Sequence, residues 1–213
     1  MKSFREFLKE DITDDQYDEV VKMIIRDCKP FLEQSYGTDY LMYRGVQGLH
    51  KEGIRNELGG VMYGKKTVRF DRAPLSSLKP DHEAINAWFR ENFNVSARSA
   101  AMFVFGEKAG NRILSSYGTP CIVFPIGEFQ YIWSPNVRDL YITLNIPSHV
   151  RDEANPNALK DFIFKELDEV GYTNEDINRA LKSTSEIMVV CKSYYAFPTK
   201  SSDTKYKFEK AFE

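Results

Sequence analysis

Long apolar runs are missing from this chain of 213 residues. No window approaches the ~18 consecutive apolar residues that a membrane span requires, so no membrane partner is expected. The opening stretch Met1-Lys2-Ser3-Phe4-Arg5-Glu6-Phe7-Leu8 carries charge every few residues, where a secretory signal needs an apolar core, and a cytoplasmic protein is expected. An excess of one charge is missing too. Basic and acidic residues number 29 and 31, and a net charge of −2 removes any global pull toward nucleic acid or membrane while leaving room for a local basic cleft. Cysteine is scarce: Cys28, Cys121 and Cys191 are odd in number and far apart, which argues against both a disulfide framework and a zinc site. His50, His82 and His149 lack the i, i+4 spacing of metal ligands, so no metal is expected. Neither Gly45 with Gly48 nor Gly59 with Gly60 belongs to a phosphate loop or a dinucleotide fingerprint, which disfavours a kinase or a Rossmann dehydrogenase.

Aromatic residues, in contrast, are abundant, with 15 Phe and 12 Tyr, enough to pack a core. The length suits one domain, with no disulfide or metal needed to hold it. Thr13-Asp14-Asp15-Gln16 has the form of a capping box, and Val20, Val21, Ile24 and Ile25 predict an amphipathic helix stopping near Pro30, so residues 1–38 read as an N-terminal helical cap. Leu41-Met42-Tyr43-Arg44-Gly45 reads as a strand ending at a turn. Residues 53–80 read as loop with one strand. A helix is predicted over 81–93, capped by Asp81, followed by a strand over 99–105, a short helix over 107–116, and strands over 121–126 and 128–133. Residues 157–170 and a second helix capped from Thr173 predict an αα-hairpin pivoting at Gly171, inside a helical insertion over about 148–183. Two β runs, 187–190 and 194–197, close the pattern before a polar, lysine-rich tail. The fold class expected is α+β, with residues 39–213 forming the main domain.

Three segments carry chemistry. Tyr43-Arg44-Gly45, Ala97-Arg98-Ser99 and Ser185-Glu186-Ile187-Met188-Val189 each sit at the edge of a strand-like run, where an arginine, a hydroxyl and a carboxylate can share one cleft. Taken singly, each has an ordinary reading: Arg44 as a turn residue, Glu186 as a strand-edge charge, Ser99 and Tyr117 as core-edge residues. In this order they resemble the arginine, serine and glutamate core of the ADP-ribosyltransferase superfamily. The run Glu186-Ile187-Met188-Val189-Val190-Cys191-Lys192-Ser193-Tyr194-Tyr195-Ala196-Phe197 is similar to the family's last motif, and residues 99–126 to its middle motif.

That resemblance implies a split β-sandwich and NAD as a substrate. Glu186 would stabilise the oxocarbenium-like charge that develops as nicotinamide leaves, while accepting a hydrogen bond from the ribose 2′-hydroxyl. Ser99 would hold Glu186 or the ribose. Arg44 and Arg98 would bind the cofactor's pyrophosphate side through fork-shaped hydrogen bonding, and Gly45 would let backbone approach the ligand. Tyr117 and Phe103 would stack on nicotinamide. Arg69 and Arg72, in Val68-Arg69-Phe70-Asp71-Arg72-Ala73-Pro74, form an expected phosphate or acceptor rim, with Trp133 closing the cleft.

Two departures redirect the analogy. Arg98-Ser99-Ala100 replaces the family's Ser-Thr-Ser, and Thr184 stands two residues before Glu186 where arginine-modifying members carry Glu or Gln. The expected acceptor is therefore nucleic acid or a protein side chain other than arginine. Members of this kind are often toxins or effectors in phage–bacteria conflict, which implies an antitoxin or inhibitor protein as a further partner. The alternatives are a degenerate member of the fold serving as a phage structural or binding module, and a nucleic-acid-binding module using the basic loop.

Overall fold

The computed structural model describes residues 15–35, 40–49, 55–58, 61–73, 78–106, 111–152 and 157–199. Thr13 and Asp14 of the expected capping box, His50, the Gly59-Gly60 pair, Pro74, residues 107–110 and the tail beyond 199 lie outside them. The fold is mixed α and β with an antiparallel sheet, and among the described residues no helix is long and apolar enough to cross a membrane.

Helix α1 (Asp15–Asp27) buries Val20, Val21 and Ile24 on one face. The chain bends at Cys28 into α2 (Lys29–Gln34), with Pro30 in the first turn. The proline expected as a stop is a start, because a first turn has no partner for the N–H that proline lacks. Strand β1 (Tyr43–Val46) follows, then β2 (Arg55–Leu58) and β3 (Val61–Thr67), an antiparallel pair where the sequence reads as loop with one strand. Lys65 and Lys66 masked the β pattern, since half of this edge pair faces solvent, where lysine is ordinary.

Helix α3 (Lys79–Phe93) starts with Pro80 in its first turn. Asp81 is not its cap: it is fully buried and accepts from the Arg151 guanidinium at 2.9 Å. Ser99 sits in a helical turn, α4 (Ala97–Ala100), and the strand it was expected to lead, β4, runs from Met102 to Phe105. After α5 (Asn111–Ser116), the two predicted strands are one, β5 (Thr119–Trp133), with a register shift between Ile126 and Phe129 and Gly127 at φ 70°. The insertion holds α6 (Leu140–Leu144), α7 (Ser148–Asp152), α8 (Ala158–Val170) and α9 (Ile177–Lys182) before β6 (Glu186–Pro198). β6 runs unbroken through Lys192 and Ser193, which take partners in β5 and β3 or face outward.

β5 and β6 pair along nearly their whole length, and the irregularity at Gly127 bends the pair. On one side of the bend β6 pairs with β4; on the other it pairs with β3, while the first half of β5 pairs with β1. Among the described residues β1 and β4 meet at one rung, Tyr43 with Phe105.

Alternation along the shared strands feeds two apolar clusters. Tyr131, Trp133, Ile187 and Val189 join the cluster under α1 and α2, whereas Ile132 and Met188 join the one under α3 and α8. The expected αα-hairpin does not close on itself. Helix α8 sends Ile163 and Leu167 to the second cluster and α9 sends Ile177, Ala180 and Leu181 to the first. The cap of α9 is Asp176, which accepts from the Arg179 N–H; Thr173 instead bridges to Trp133.

Candidate functional site

Glu186 opens β6 in register with Phe105, which is itself the partner of Tyr43, so the three-strand row β1–β4–β6 brings Arg44 and Glu186 to one sheet end. Because β1 and β4 part after a single rung, the Phe103 carbonyl on β4 lacks a strand partner there and accepts from Arg44 Nη1 at 2.5 Å. Arg44 Nε is buried with no hydrogen-bond partner among the described residues. The Tyr194 hydroxyl lies against the same guanidinium, and burial raises its pKa.

Arg98 and Arg72 complete the cation set. Arg98 Nη1 reaches the Glu186 carboxylate at 3.3 Å, with side chains 20% and 16% exposed. Arg72 donates to the backbone carbonyls of Ser99 and Ala101, tying the segment before α3 to the α4–β4 junction. Both guanidiniums sit over the Phe103 ring, at 4.6 Å for Arg98 and 4.9 Å for Arg72. Phe103 is thus a platform for cations, a placement at odds with an open ring awaiting nicotinamide. Burial first, then the Arg44 and Arg98 charges, bring the Arg72 pKa down to about 10.

The electrostatics of Glu186 follow from where β6 starts. By the alternation of the strand it takes the side of Met188 and Val190, toward the second cluster, where Tyr172 and Asp139 stand. Burial pushes its carboxyl up to about 7 and the Asp139 charge adds to this, against the opposing pull of Arg98, Arg44 and Arg72. Both protonation states are therefore populated near neutral pH. Three guanidiniums around two carboxylates leave a positive surplus, with Arg44 Nε still unpaired: a donor set that suits a dianionic pyrophosphate.

Ser99 belongs to a different network. Its hydroxyl lies 2.8 Å from His82 Nε2, accepts from Asn86 Nδ2 at 2.9 Å and donates to the Arg72 carbonyl at 3.3 Å. It does not hold Glu186; Arg98 does. Asn86 also accepts the Arg98 backbone N–H at 3.0 Å, so Ser99 positions Arg98 through Asn86. Burial, then the Arg98 charge, lowers the His82 pKa.

Three further expectations change. A Cβ on Gly45 would meet the Leu114 carbonyl oxygen at 2.3 Å and Tyr117 Cβ at 2.8 Å, so this glycine admits the end of α5 against β1, not a ligand. Tyr117 itself is 57% exposed beside it. Trp133 cannot close a cleft: it is 1% exposed and its indole N–H donates to the Glu175 carbonyl. Arg69, expected to share a rim with Arg72, is out in solvent paired with Asp71 at 3.3 Å, while Arg72 turns inward. Sequence reasoning missed His82, Asn86, Tyr172 and Tyr194 as neighbours of the site. No periodicity marked them; only the polar residues 82 and 86, one helical turn apart on α3 beside the buried stripe of Ile85 and Phe89, hinted at a buried network.

The cysteines are buried thiols outside any disulfide, and among the described residues no group of His, Cys, Asp and Glu is arranged to hold a metal ion. No family model matches this chain, and no curated protein or solved structure does.

Proposed function

We propose that this protein is an NAD-dependent ADP-ribosyltransferase of the arginine, serine and glutamate type, with β5 and β6 forming the shared spine of a split β-sandwich. The observation that carries the reading is one cluster holding Arg44 from the start of the sheet and Glu186 from its last strand, with Arg98 and Arg72 between them and a buried Arg44 donor left unpaired. In this reading the guanidiniums take the pyrophosphate of NAD. Ionised Glu186 accepts from the ribose 2′-hydroxyl and stabilises positive charge at the anomeric carbon as the bond to nicotinamide breaks. The acceptor then bonds to that carbon and gives up its proton, and nicotinamide leaves as a neutral molecule. Asp139 raises the carboxyl's affinity for a proton. Thr184 precedes the strand where arginine-modifying enzymes carry a second acid, which supports a nucleic acid or non-arginine protein acceptor.

The test is incubation of purified protein with labelled NAD and cell lysate, divided between protease and nuclease treatment, beside Glu186→Gln. Label that depends on Glu186 is the expected result. Folded protein that neither transfers label nor releases nicotinamide would overturn the proposal in favour of a binding module.

A further inference from the structure

Beside the Glu186 cluster, and sharing Arg72 with it, runs an open groove of about 570 Å³. One wall is α3. Lys79, Glu83, Asn86 and Arg90 lie along it at i, i+4, i+7 and i+11, one face of a helix, on the far side from Ile85 and Trp88, which pack inward. The other wall is the segment carrying Phe70 and Arg72. Cations stand at both ends of the stripe: Lys79 is 81% exposed and weakly paired with Glu83 at 3.7 Å, and Arg90 is an exposed side chain that donates to Ser96. At 1.5 Å per residue these ends are about 16 Å apart, further than a single nucleotide reaches. Phe70, 53% exposed, presents an aromatic face on the lip.

We infer that this groove is the docking track for a single-stranded nucleic acid, which is the acceptor of ADP-ribose if the transferase reading above holds. Cations spaced along a groove follow a phosphate backbone, and an aromatic ring among them stacks a base without regard to sequence. Among the charged lining groups Arg72, Lys79 and Arg90 outnumber the single carboxylate Glu83, which favours a polyanion over a protein surface of mixed charge. Arg72 lines the groove and also acts electrostatically on Glu186, so a strand lying in the groove passes beside the Glu186 cluster.

The experiment measures binding of fluorescent mixed-sequence 12-nucleotide RNA and DNA to the full chain between 50 and 200 mM salt, with nicotinamide release from NAD recorded separately. Phe70→Ala and the double variant Lys79→Gln with Arg90→Gln change only exposed side chains and leave the Glu186 cluster intact, and thermal melting checks that they fold. The inference expects binding by the wild type, about tenfold weaker for Phe70→Ala. It also expects a salt slope reduced by roughly 1.4 in the double variant, with nicotinamide release unchanged in both. Absence of oligonucleotide binding at 50 mM salt, or binding indifferent to these substitutions, overturns it. Binding through the groove without nicotinamide release supports the track and sinks the transferase reading instead. Nicotinamide release with label passing only to protein overturns the acceptor assignment.

Discussion

Ser99 and Glu186 are both half-buried polar residues at element boundaries, one network apart, and they are solvated in opposite ways. Ser99 meets three partners within 3.3 Å, and Asn86 among them also accepts the Arg98 N–H: a connected set that costs little to bury. Glu186 has one long contact to Arg98, a second carboxylate nearby, a pKa lifted to about 7, and a neighbouring arginine with an unpaired buried donor. The difference separates a joint from a site. A polar group whose demands are met within the fold holds elements together, whereas the surplus charge and unused donor beside Glu186 are where the proposed reading seats its ligand.

Glu186→Gln would break that contrast hardest. It keeps the shape and removes the charge, and nicotinamide release should fall by about 10³-fold, on the order of 4 kcal/mol in the barrier, in protein that circular dichroism shows to be folded. A Gln variant that releases nicotinamide at the wild-type rate would remove Glu186 from the chemistry.

The pH dependence comes next. A carboxyl whose folded pKa is about 7 against 4.5 unfolded adds stability that is whole below pH 4.5 and is lost as pH rises through 7. Denaturant titrations should show the wild type losing on the order of 3 kcal/mol across that window relative to Glu186→Gln. Release should run the other way, climbing about tenfold per pH unit below 7 and levelling above it, since the ionised form acts. A flat pH–rate profile would contradict the geometry.

Ser99→Ala sharpens the comparison from the other side. It leaves Asn86 and His82 short of a partner and should cost about 2 kcal/mol of stability by chemical denaturation, with a smaller loss of nicotinamide release than Glu186→Gln. A collapse of release without loss of stability would make Ser99 a catalytic residue. Arg44→Ala has the smallest expected effect, a rise in KM for NAD of about tenfold with kcat nearly kept, and Arg44→Lys should restore it only in part, because an ammonium cannot place two parallel donors.

The local order of helices and strands was readable wherever one face of an element is buried: α1 through Val20, Val21 and Ile24, α3 through Ile85, Trp88 and Phe89, and the start of the last strand at Glu186. Where both faces of a strand are covered, or where lysines fill a solvent face, the period is hidden. That is why β5 and β6 each read as two pieces and β2–β3 as loop with one strand. Caps failed for a related reason. Asp81 and Thr173 have the right chemistry at the right place, but a partly exposed arginine, Arg151, and a β-bridge to Trp133 claimed them first.

The candidate site divides the same way. Residue types and their order along the chain were enough to pick out Arg44, Arg98 and Glu186, since those are properties of short segments. Which groups face one another was decided across separations of 59 residues for Arg44 with Phe103 and 88 for Arg98 with Glu186. Only the packed fold turns Arg72 inward and Arg69 outward from one segment, buries Trp133, and fits Gly45 against α5 instead of a ligand. Hydrophobic periodicity says that a face is buried but carries no term for what covers it. Pairing, burial of charge and the shift of a pKa all depend on that covering, so tertiary contact alone settled them.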